Sequence, residues 1–334
     1  MNWLSLTDEQ RRSSINQAVL TVTGITQKAI EKDWWVTLVL RVLFSSKHKE
    51  HILFKGGTSL SKCFGLIDRF SEDIDLVLKR DFLGFEGIVS KNKIGKLRSS
   101  AATFAISDLI PMLEEDLVKS GVPEGIINIT AKPEKDKQSP NDPQIIYIKY
   151  PSLYPPVSYI KDEVQVEVSA RSLIDPYTSC TVNSILSTAL STAPFAEQSF
   201  EVPAVEPKRT FLEKAFLMHE EFQQPADAQD PFRKSRHFYD LERMMDQPFA
   251  EEVLKDEDLY QKIIDHRKHF NTLSGIDYAS HARKTISFYP PEYAIENYRS
   301  DYATMRTEMI HGDKLTFEEL MVRIAALQKR FRNE

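Results

Sequence analysis

The segment "FKGGTSLSKCFGLIDRFSEDIDLVLKR", residues 54–80, brings together residue types that suit phosphate and metal chemistry. Gly56 and Gly57 precede a helical pattern, and such a turn lets backbone N–H groups approach a phosphate closely. Asp73 and Asp75 follow as an Asp-x-Asp pair. Carboxylate oxygens are the ligands that Mg²⁺ prefers, and substrate phosphates commonly complete its coordination. The segment therefore predicts a site for a metal ion and a nucleoside triphosphate.

Neither a P-loop nor a Rossmann fingerprint fits the glycine pair. The first requires G-x-x-x-x-G-K-[ST] and the second G-x-G-x-x-G, whereas the chain has "KGGTSLSK". A plain tight turn and an acidic strand facing solvent are the alternative interpretations of the two motifs taken singly. Their occurrence within one short segment favours the metal and phosphate interpretation.

Hydrophobic periodicity predicts the elements that position these residues. "AIEKDWWVTLVLRVLFSS" (29–46) has the apolar spacing of a buried amphipathic helix. "HILFKGG" is predicted to be a short strand that ends in a turn, and "TSLSKCFGLI" a helix capped by Thr58 or Ser59. "DIDLVLKR" alternates so that Asp73 and Asp75 share one face of a strand. The two carboxylates are therefore expected to converge.

The remaining segments predict an α+β fold. One helix and three strands are expected next, in "SSAATFAISDLIPMLEEDLVKS", "GIINITAK", "QIIYIKYPSLY" and "DEVQVEVSA". "TAPFAEQSFEVPAVEPKR" is punctuated by proline, and the segments beyond it are almost all helical in pattern. Thr316 and Glu319 predict a capping box for the last helix. The predicted domains are residues 1–205 and a helical domain over 206–334.

Composition and charge limit the class of protein. The chain has 334 residues, 41% of them hydrophobic, so it is expected to bury a core. No apolar run approaches the roughly 18 residues of a membrane span, and the N-terminal residues do not resemble a signal peptide. The two cysteines, Cys63 and Cys180, are interpreted as core thiols of a cytoplasmic protein. A net charge of −6 argues against general coating of nucleic acid but is compatible with a local basic groove.

The chain resembles a known family across residues 29 to about 245, in six successive segments: "EKDWWVTLVLRVLF", "FKGGTSLSK", "FSEDIDLVL", "VQVEVSARS", "FEVPAVEPKRTFLEKAF" and "RHFYDLERM". They are similar to segments of the AbiEii/AbiGii-type toxin nucleotidyltransferases of the polymerase-β superfamily, which are related to the mycobacterial MenT toxins. The resemblance implies a polymerase-β-like nucleotidyltransferase core on a mixed sheet, with a C-terminal helical domain that completes the active-site cleft.

The resemblance also implies an activity and partners. The expected reaction is a metal-dependent transfer of a nucleoside monophosphate from an NTP to RNA, at the tRNA 3′ end. The expected role is that of the toxin of a type IV toxin–antitoxin or abortive-infection system, with a cognate antitoxin as partner and no membrane association. Two alternatives stay open: transfer to a protein hydroxyl or a small molecule, and a nucleotide-binding regulatory module without turnover.

Roles for individual residues follow from the same resemblance. Asp73 and Asp75 match the pair that binds Mg²⁺ or Mn²⁺. Lys214 in "TFLEKAF" and Asp240 in "RHFYDL" match a catalytic-site lysine and aspartate, although such residues on helices are most often solvated. The residues expected to contact the triphosphate are Gly56, Gly57, Thr58, Ser59, Lys62 and Ser71.

A third carboxylate from a later strand is typical of the superfamily. Glu163, Gln165 and Glu167 lie on one face of "EVQVEVSARS". Glu167 is the candidate metal ligand, and spacing alone does not separate it from Glu163. Arg171 follows as a candidate contact to phosphate or RNA. His237 stands where the family often has an acidic residue, so it is expected either to donate a hydrogen bond or to pack.

An RNA acceptor requires positive charge close to the site. The candidate residues lie around the domain boundary and on the helical side: Lys208, Arg209, Arg233, Lys234, Arg236, Arg267, Lys268, Arg283 and Lys284.

Overall fold

The computed structural model describes residues 2–87, 89–133, 142–157, 160–271 and 273–334. The strands in this part of the chain are β1 (Ile52–Lys55), β2 (Asp73–Leu78), β3 (Asn128–Ala131), β4 (Gln144–Lys149), β5 (Glu163–Ser169), β6 (Tyr177–Val182) and β7 (Phe200–Val205). The α-helices are α1 (Asp8–Thr21), α2 (Gln27–Ser45), α3 (Gly56–Lys62), α4 (Lys91–Phe104), α5 (Ile110–Lys119), α6 (Ile185–Ala189), α7 (Pro207–Gln223), α8 (Ser235–Met244), α9 (Pro248–Lys255), α10 (Glu257–Phe270), α11 (Ile295–Glu308) and α12 (Phe317–Arg332).

The chain divides into two compact units. The first unit comprises Met1–Gly65 and Arg69–Val205 and contains the strands. The second comprises Leu66–Asp68 and Glu206–Glu334 and contains helices α7 to α12. Three residues between α3 and β2 therefore belong to the helical unit.

The strands form one mixed sheet in the order β3-β4-β5-β2-β1-β7-β6. Two pairs are parallel, β2 with β5 and β1 with β7, and the other neighbours are antiparallel. Each parallel pair joins strands that are distant in sequence, because a parallel connection requires a long crossover. The predicted α+β class and mixed sheet are confirmed.

Helix α2 is buried along most of its length, and the predicted buried helix over 29–46 is confirmed. It contacts β2, β5 and β7 of the sheet and helices α1, α5 and α6. Trp34 and Trp35 are 1% exposed or less, and the ring of Trp35 stacks on Tyr150 at a centroid distance of 4.9 Å. Burial of one large apolar side chain contributes about 1.5–3 kcal/mol, so α2 is a major part of the core of this unit.

The sequence did not predict β6 and β7. β6 is rich in hydroxyl side chains, and most of its residues are exposed, so it lacks an apolar alternation. β7 contains Pro203, which pairs with Ser179 of β6. Proline removes a backbone donor and is unusual inside a strand, which explains why this stretch resembled a connection between domains.

In the helical unit, α8 contacts α7, α11 and α12. The predicted capping box of the last helix is confirmed, because Thr316 Oγ1 accepts from the Glu319 backbone at 3.2 Å and Glu319 Oε2 accepts from the Thr316 backbone at 2.7 Å. Within the described residues, no helix combines the length and apolar character that a membrane crossing requires.

Cys63 and Cys180 are free thiols that contact each other in the first unit. Cys180 is buried, as predicted, whereas Cys63 is half-buried, so its assignment to the core was wrong. Burial, followed by the proximity of Cys180, raises the pKa of Cys63, and burial also raises the pKa of Cys180. Both thiols therefore stay protonated at neutral pH.

Candidate active site

The glycine turn begins where β1 ends. Gly56 has a φ of +80°, a left-handed conformation that disfavours other residues. A Cβ atom at this position would overlap with Oδ2 of Asp75. The carboxylate of Asp75 therefore lies directly against the backbone of Gly56, which brings the glycine turn and the Asp-x-Asp strand together as predicted.

The second glycine leaves room for two polar side chains. A Cβ atom at Gly57 would lie 2.8 Å from Nη2 of Arg69 and 2.8 Å from Oγ of Ser71. Arg69 is 2% exposed, and its Nη1 donates to the Phe70 carbonyl at 3.2 Å. Arg69 was not among the residues predicted from the sequence, although it lies two positions before Ser71. Its buried cation is the nearest positive charge that the structure shows beside Gly57.

Thr58 and Ser59 lie inside α3, so the prediction that one of them caps this helix was wrong. The helix begins at Gly56, and its N-cap, Lys55, makes no side-chain capping bond. Thr58 is fully buried and donates to the Asp73 carbonyl at 2.6 Å, while Ser59 donates to the Gly56 carbonyl at 2.9 Å. The Thr58 hydroxyl therefore holds the strand that carries the carboxylates. The predicted phosphate contacts of both residues stay predictions.

Lys62 lies at the last turn of α3 and makes contacts away from the glycine turn. Its Nζ lies 2.5 Å from Oδ1 of Asp33 and donates to the Asn183 carbonyl at 3.3 Å. Its side chain is 7% exposed. Lys62 therefore forms a buried ion pair with α2. Its role in nucleotide binding stays a prediction.

Strand register places acidic side chains side by side. Asp73 pairs with Gln165 of β5, and Asp75 pairs with Glu167. On the other side of β2, Asp75 pairs with Lys55 of β1. Paired residues on neighbouring strands point to the same face, so Lys55, Asp75 and Glu167 form one row across three strands.

Register also separates the two candidates for the third carboxylate. Glu167 lies opposite Asp75, whereas Glu163 lies opposite Lys149 of β4. Glu163 also accepts a hydrogen bond from Gln165 Nε2 at 3.3 Å. The position of Glu167 favours it over Glu163 as the third ligand, and its metal-binding role stays a prediction.

Tyr147 is a further residue of this face, and it was not among the residues predicted from the sequence. It lies opposite Gln165 on β4. Burial, followed by the negative charges of Glu163, Glu167 and Asp73, raises its pKa. Its phenol therefore keeps its proton at neutral pH and offers an O–H donor beside the carboxylates. The alternation of "QIIYIK" could have assigned Tyr147 to one strand face, but the neighbour of that strand was not predictable.

The donor chemistry of this face fits a hard divalent cation. Asp73, Asp75 and Glu167 supply carboxylate oxygens, which Mg²⁺ and Mn²⁺ prefer, and Gly56 leaves space for the carboxylate of Asp75 at the turn. Among the residues that the structure describes, no three carboxylate, imidazole or thiolate side chains are gathered closely enough to hold an ion. The metal and its ligand set therefore stay predictions.

Two predicted residues of the helical unit form an ion pair. Lys214 Nζ of α7 lies 2.9 Å from Oδ2 of Asp240 on α8. Lys214 is 8% exposed and Asp240 is fully buried, so the alternative of a solvated side chain does not hold for either, and their catalytic role stays a prediction. Lys214 Nζ also lies 3.4 Å from Nδ1 of His237. Because an ammonium group only donates, His237 accepts here and does not merely pack.

The sequence matches one family over residues 38–323, described as "Nucleotidyl transferase AbiEii toxin, Type IV TA system". The match covers most of the chain and includes Gly56, Asp73, Asp75, Lys214 and Asp240.

The chain belongs to the AbiEii family. The resemblance inferred from the six segments is thereby confirmed, and the chain is a member of a family of nucleotidyltransferase toxins of type IV toxin–antitoxin systems. Membership of this family implies an antitoxin partner.

Other comparisons are more distant. No curated protein matches the sequence of this AbiEii family member. The crystal structure of JHP933 from Helicobacter pylori is similar over 92% of this chain and 94% of that chain, with 14% sequence identity and a TM-score of 0.44.

Several basic residues considered for an RNA groove are engaged in ion pairs. Arg209 is fully buried and its Nε lies 3.0 Å from Glu213, and Arg267 pairs with the buried Glu220. These two guanidinium groups therefore offer little charge to solvent. Arg171 pairs with Asp142, and its Nη2 donates to the Asp142 carbonyl at 2.9 Å. Further pairs in the described part of the chain include Lys208–Glu206, Lys234–Glu221 and Arg283–Glu257.

Proposed function

We propose that this AbiEii family member transfers a nucleoside monophosphate from an NTP to RNA in a metal-dependent reaction and thereby acts as a toxin. The observation that best supports the proposal is the contact between the Asp75 carboxylate and the glycine turn, with Glu167 beside Asp75 in register. A glycine turn next to hard oxygen donors suits a triphosphate bound together with a divalent cation.

The proposed reaction is a displacement at phosphorus. An oxygen of an acceptor hydroxyl forms a bond to the α-phosphorus, and the bond from that phosphorus to the oxygen bridging to the β-phosphate breaks. Pyrophosphate leaves with the electron pair, and the hydroxyl proton passes to solvent. Such reactions depend mainly on positioning and on compensation of negative charge.

The residues of the sheet-bearing unit have distinct proposed roles. Asp73, Asp75 and Glu167 would hold the cation, which when bound neutralises phosphate charge and lowers the pKa of the attacking hydroxyl. Gly56 and Gly57 allow the phosphates to approach the backbone of the turn. Lys214 and Asp240 of the helical unit are proposed to contribute to catalysis, as the family resemblance implies.

A labelling experiment tests the proposal. The purified protein is incubated with each NTP, Mg²⁺ and total RNA, once with the label on the α-phosphate and once on the γ-phosphate. We expect RNA to acquire the α-label and not the γ-label, because the monophosphate is transferred and pyrophosphate is released. Label in protein or in a small molecule would favour the alternative acceptors. No transfer of α-label from any NTP would contradict the proposed activity.

A matched pair of variants accompanies the experiment. Asp75→Asn removes one proposed ligand charge and is expected to abolish labelling. Glu201→Gln removes a carboxylate of β7 that accepts hydrogen bonds from Ser179 and Thr181, and it is expected to leave labelling unchanged. Equal labelling by wild type and Asp75→Asn would remove the main support for the proposed site.

A further inference from the structure

The first half of α2 buries a cluster of charges that the proposed function does not use. Lys28, Glu31, Lys32 and Asp33 are each 5% exposed or less. Burial of an isolated charge is very unfavourable, so buried charges require charged or hydrogen-bonding partners. Lys32 and Asp33 pair with Glu72 and Lys62, which belong to the two segments that carry the candidate active site.

Lys32 contacts the strand that carries the carboxylates. Its Nζ donates to Oε2 of Glu72 in a short ion pair, and both side chains are 1% exposed. Glu72 immediately precedes Asp73, the first residue of β2. Displacement of Glu72 would therefore displace Asp73 through one peptide unit.

Asp33 contacts the helix that begins at the glycine turn. Its Oδ1 lies 2.5 Å from Nζ of Lys62, the last residue of α3, and its Oδ2 accepts from the Ile185 backbone at 2.7 Å. Because α3 comprises only Gly56–Lys62, a tie at its end limits the movement of the whole helix.

We propose that Lys32 and Asp33 are positioning residues, which hold the Asp-x-Asp strand and the glycine turn in register through Glu72 and Lys62. The inference rests on the proposed function. A buried ion pair contributes little net stability compared with well-packed apolar residues, but it fixes the geometry of its partners. A shift of about 1 Å in a reacting group can cost about 100-fold in rate, so the charges of α2 act on catalysis without touching the substrate.

Two variants separate positioning from simple stabilisation. Lys32→Met leaves the carboxylate of Glu72 buried without its ammonium, and we expect a lower melting temperature together with a lower kcat. Lys32→Met/Glu72→Met removes both charges, and we expect the melting temperature to recover while kcat stays about 100-fold below wild type. KM for the NTP is expected to change little, because both side chains are 1% exposed and neither is among the proposed nucleotide contacts. Recovery of both kcat and melting temperature in the double variant would overturn the proposal.

Asp33→Asn provides a second test, which remains valid even if the variant Lys32→Met/Glu72→Met does not fold. Asparagine keeps an oxygen for the Ile185 N–H and removes only the charge that faces Lys62. We expect kcat to fall about tenfold while the melting temperature changes less than in Lys32→Met. An unchanged kcat in Asp33→Asn would contradict the role of Asp33.

Hydrogen exchange gives a readout that is independent of turnover. Amides of residues 69–75 are expected to exchange faster in Lys32→Met/Glu72→Met than in wild type, while those of α7 and α8 keep their rates. Unchanged exchange over 69–75 would reject positioning even if activity were lost.

If wild type transfers no nucleotide, the proposed function fails and exchange alone decides this inference. Glu220→Gln, which weakens a buried ion pair in the helical unit, is the control that lowers stability without lowering kcat.

Discussion

The two units of this protein both bury charged networks, but the networks differ in what they connect. In the first unit, Lys32 and Asp33 of α2 reach Glu72 and Lys62, in the segments that carry the proposed metal ligands and glycine turn. In the helical unit, Glu220 of α7 accepts from Arg267 Nε of α10 at 2.7 Å and lies 3.1 Å from His281.

Neither partner of Glu220 adjoins a residue with a proposed catalytic role. The contrast teaches that burial of a charge does not by itself indicate a functional site. A buried charge in a fold of this size is more informative when the segment it holds carries residues of suitable chemistry, as Glu72 does beside Asp73.

The largest effect is expected for the carboxylates themselves. Asp73→Ala and Asp75→Ala are each expected to abolish nucleotide transfer. The loss of activity should exceed the roughly 10–100-fold loss that typically follows mutation of residues hydrogen-bonded to metal ligands. Circular dichroism and melting temperature should show that the fold survives, because removal of one carboxylate from the proposed ligand set relieves charge repulsion on this face. Activity near the wild-type level in both variants would eliminate the metal-ligand role. Asp73→Asn is the milder control.

The second effect concerns the Lys214–Asp240 pair, which is both buried and predicted to be catalytic. Lys214→Met leaves the fully buried Asp240 without its ammonium, so we expect a loss of about 3–5 kcal/mol in the free energy of unfolding. Lys214→Met/Asp240→Asn should recover most of that stability but not the transfer activity. Urea unfolding and single-turnover labelling measure the two quantities separately. Recovery of activity in the double variant would show that the pair is only structural.

The third prediction concerns stability and pH, and no effect on turnover at neutral pH is expected. Burial favours the protonated form of Glu220, but Arg267 and His281 outweigh it and hold its pKa below the usual 4.5. The unfolded chain therefore binds more protons than the folded chain, so the contribution of Glu220 is complete above about pH 4.5 and is lost as the pH falls through the folded-state pKa.

Glu220→Gln removes this titration and should lower stability at pH 7 by about 3 kcal/mol or less. The urea midpoint of wild type should approach that of Glu220→Gln between pH 5 and pH 3, within the range in which carboxylates titrate. Parallel midpoints over this range would contradict the assignment. A fall in kcat of Glu220→Gln at neutral pH would instead show that the charged network of the helical unit also affects catalysis, which would contradict the difference between the two networks.

Local sequence patterns predicted the helices and strands better than they predicted the contacts between them. The apolar spacing of α2, the alternation of β2 and the capping box of Thr316 are each set by residues close in sequence, and the structure confirms them. β7 was missed because Pro203 is untypical of a strand, although pairing with β1 and β6 stabilises it there.

Contacts of charged residues were the least predictable part of the candidate site. Lysine and aspartate are most often solvated, and only tertiary structure shows that Lys62 pairs with Asp33 or that Lys214 pairs with Asp240. The choice of Glu167 over Glu163 likewise depends on strand register, because both residues share one face of β5. Residue types therefore predicted the kind of site. Which residues lie next to each other depends on strand order and burial, which only the structure shows.

The parallel pairing of β2 with β5 has a consequence for synthesis on the ribosome. Glu167 comes 92 positions after Asp75, and at about 5–20 residues per second the ribosome needs roughly 5–18 s to add these residues. The glycine turn and both aspartates therefore emerge well before the strand that supplies the neighbouring glutamate. A chain released early, upstream of β5, contains the whole Asp-x-Asp segment but does not form the row of Lys55, Asp75 and Glu167.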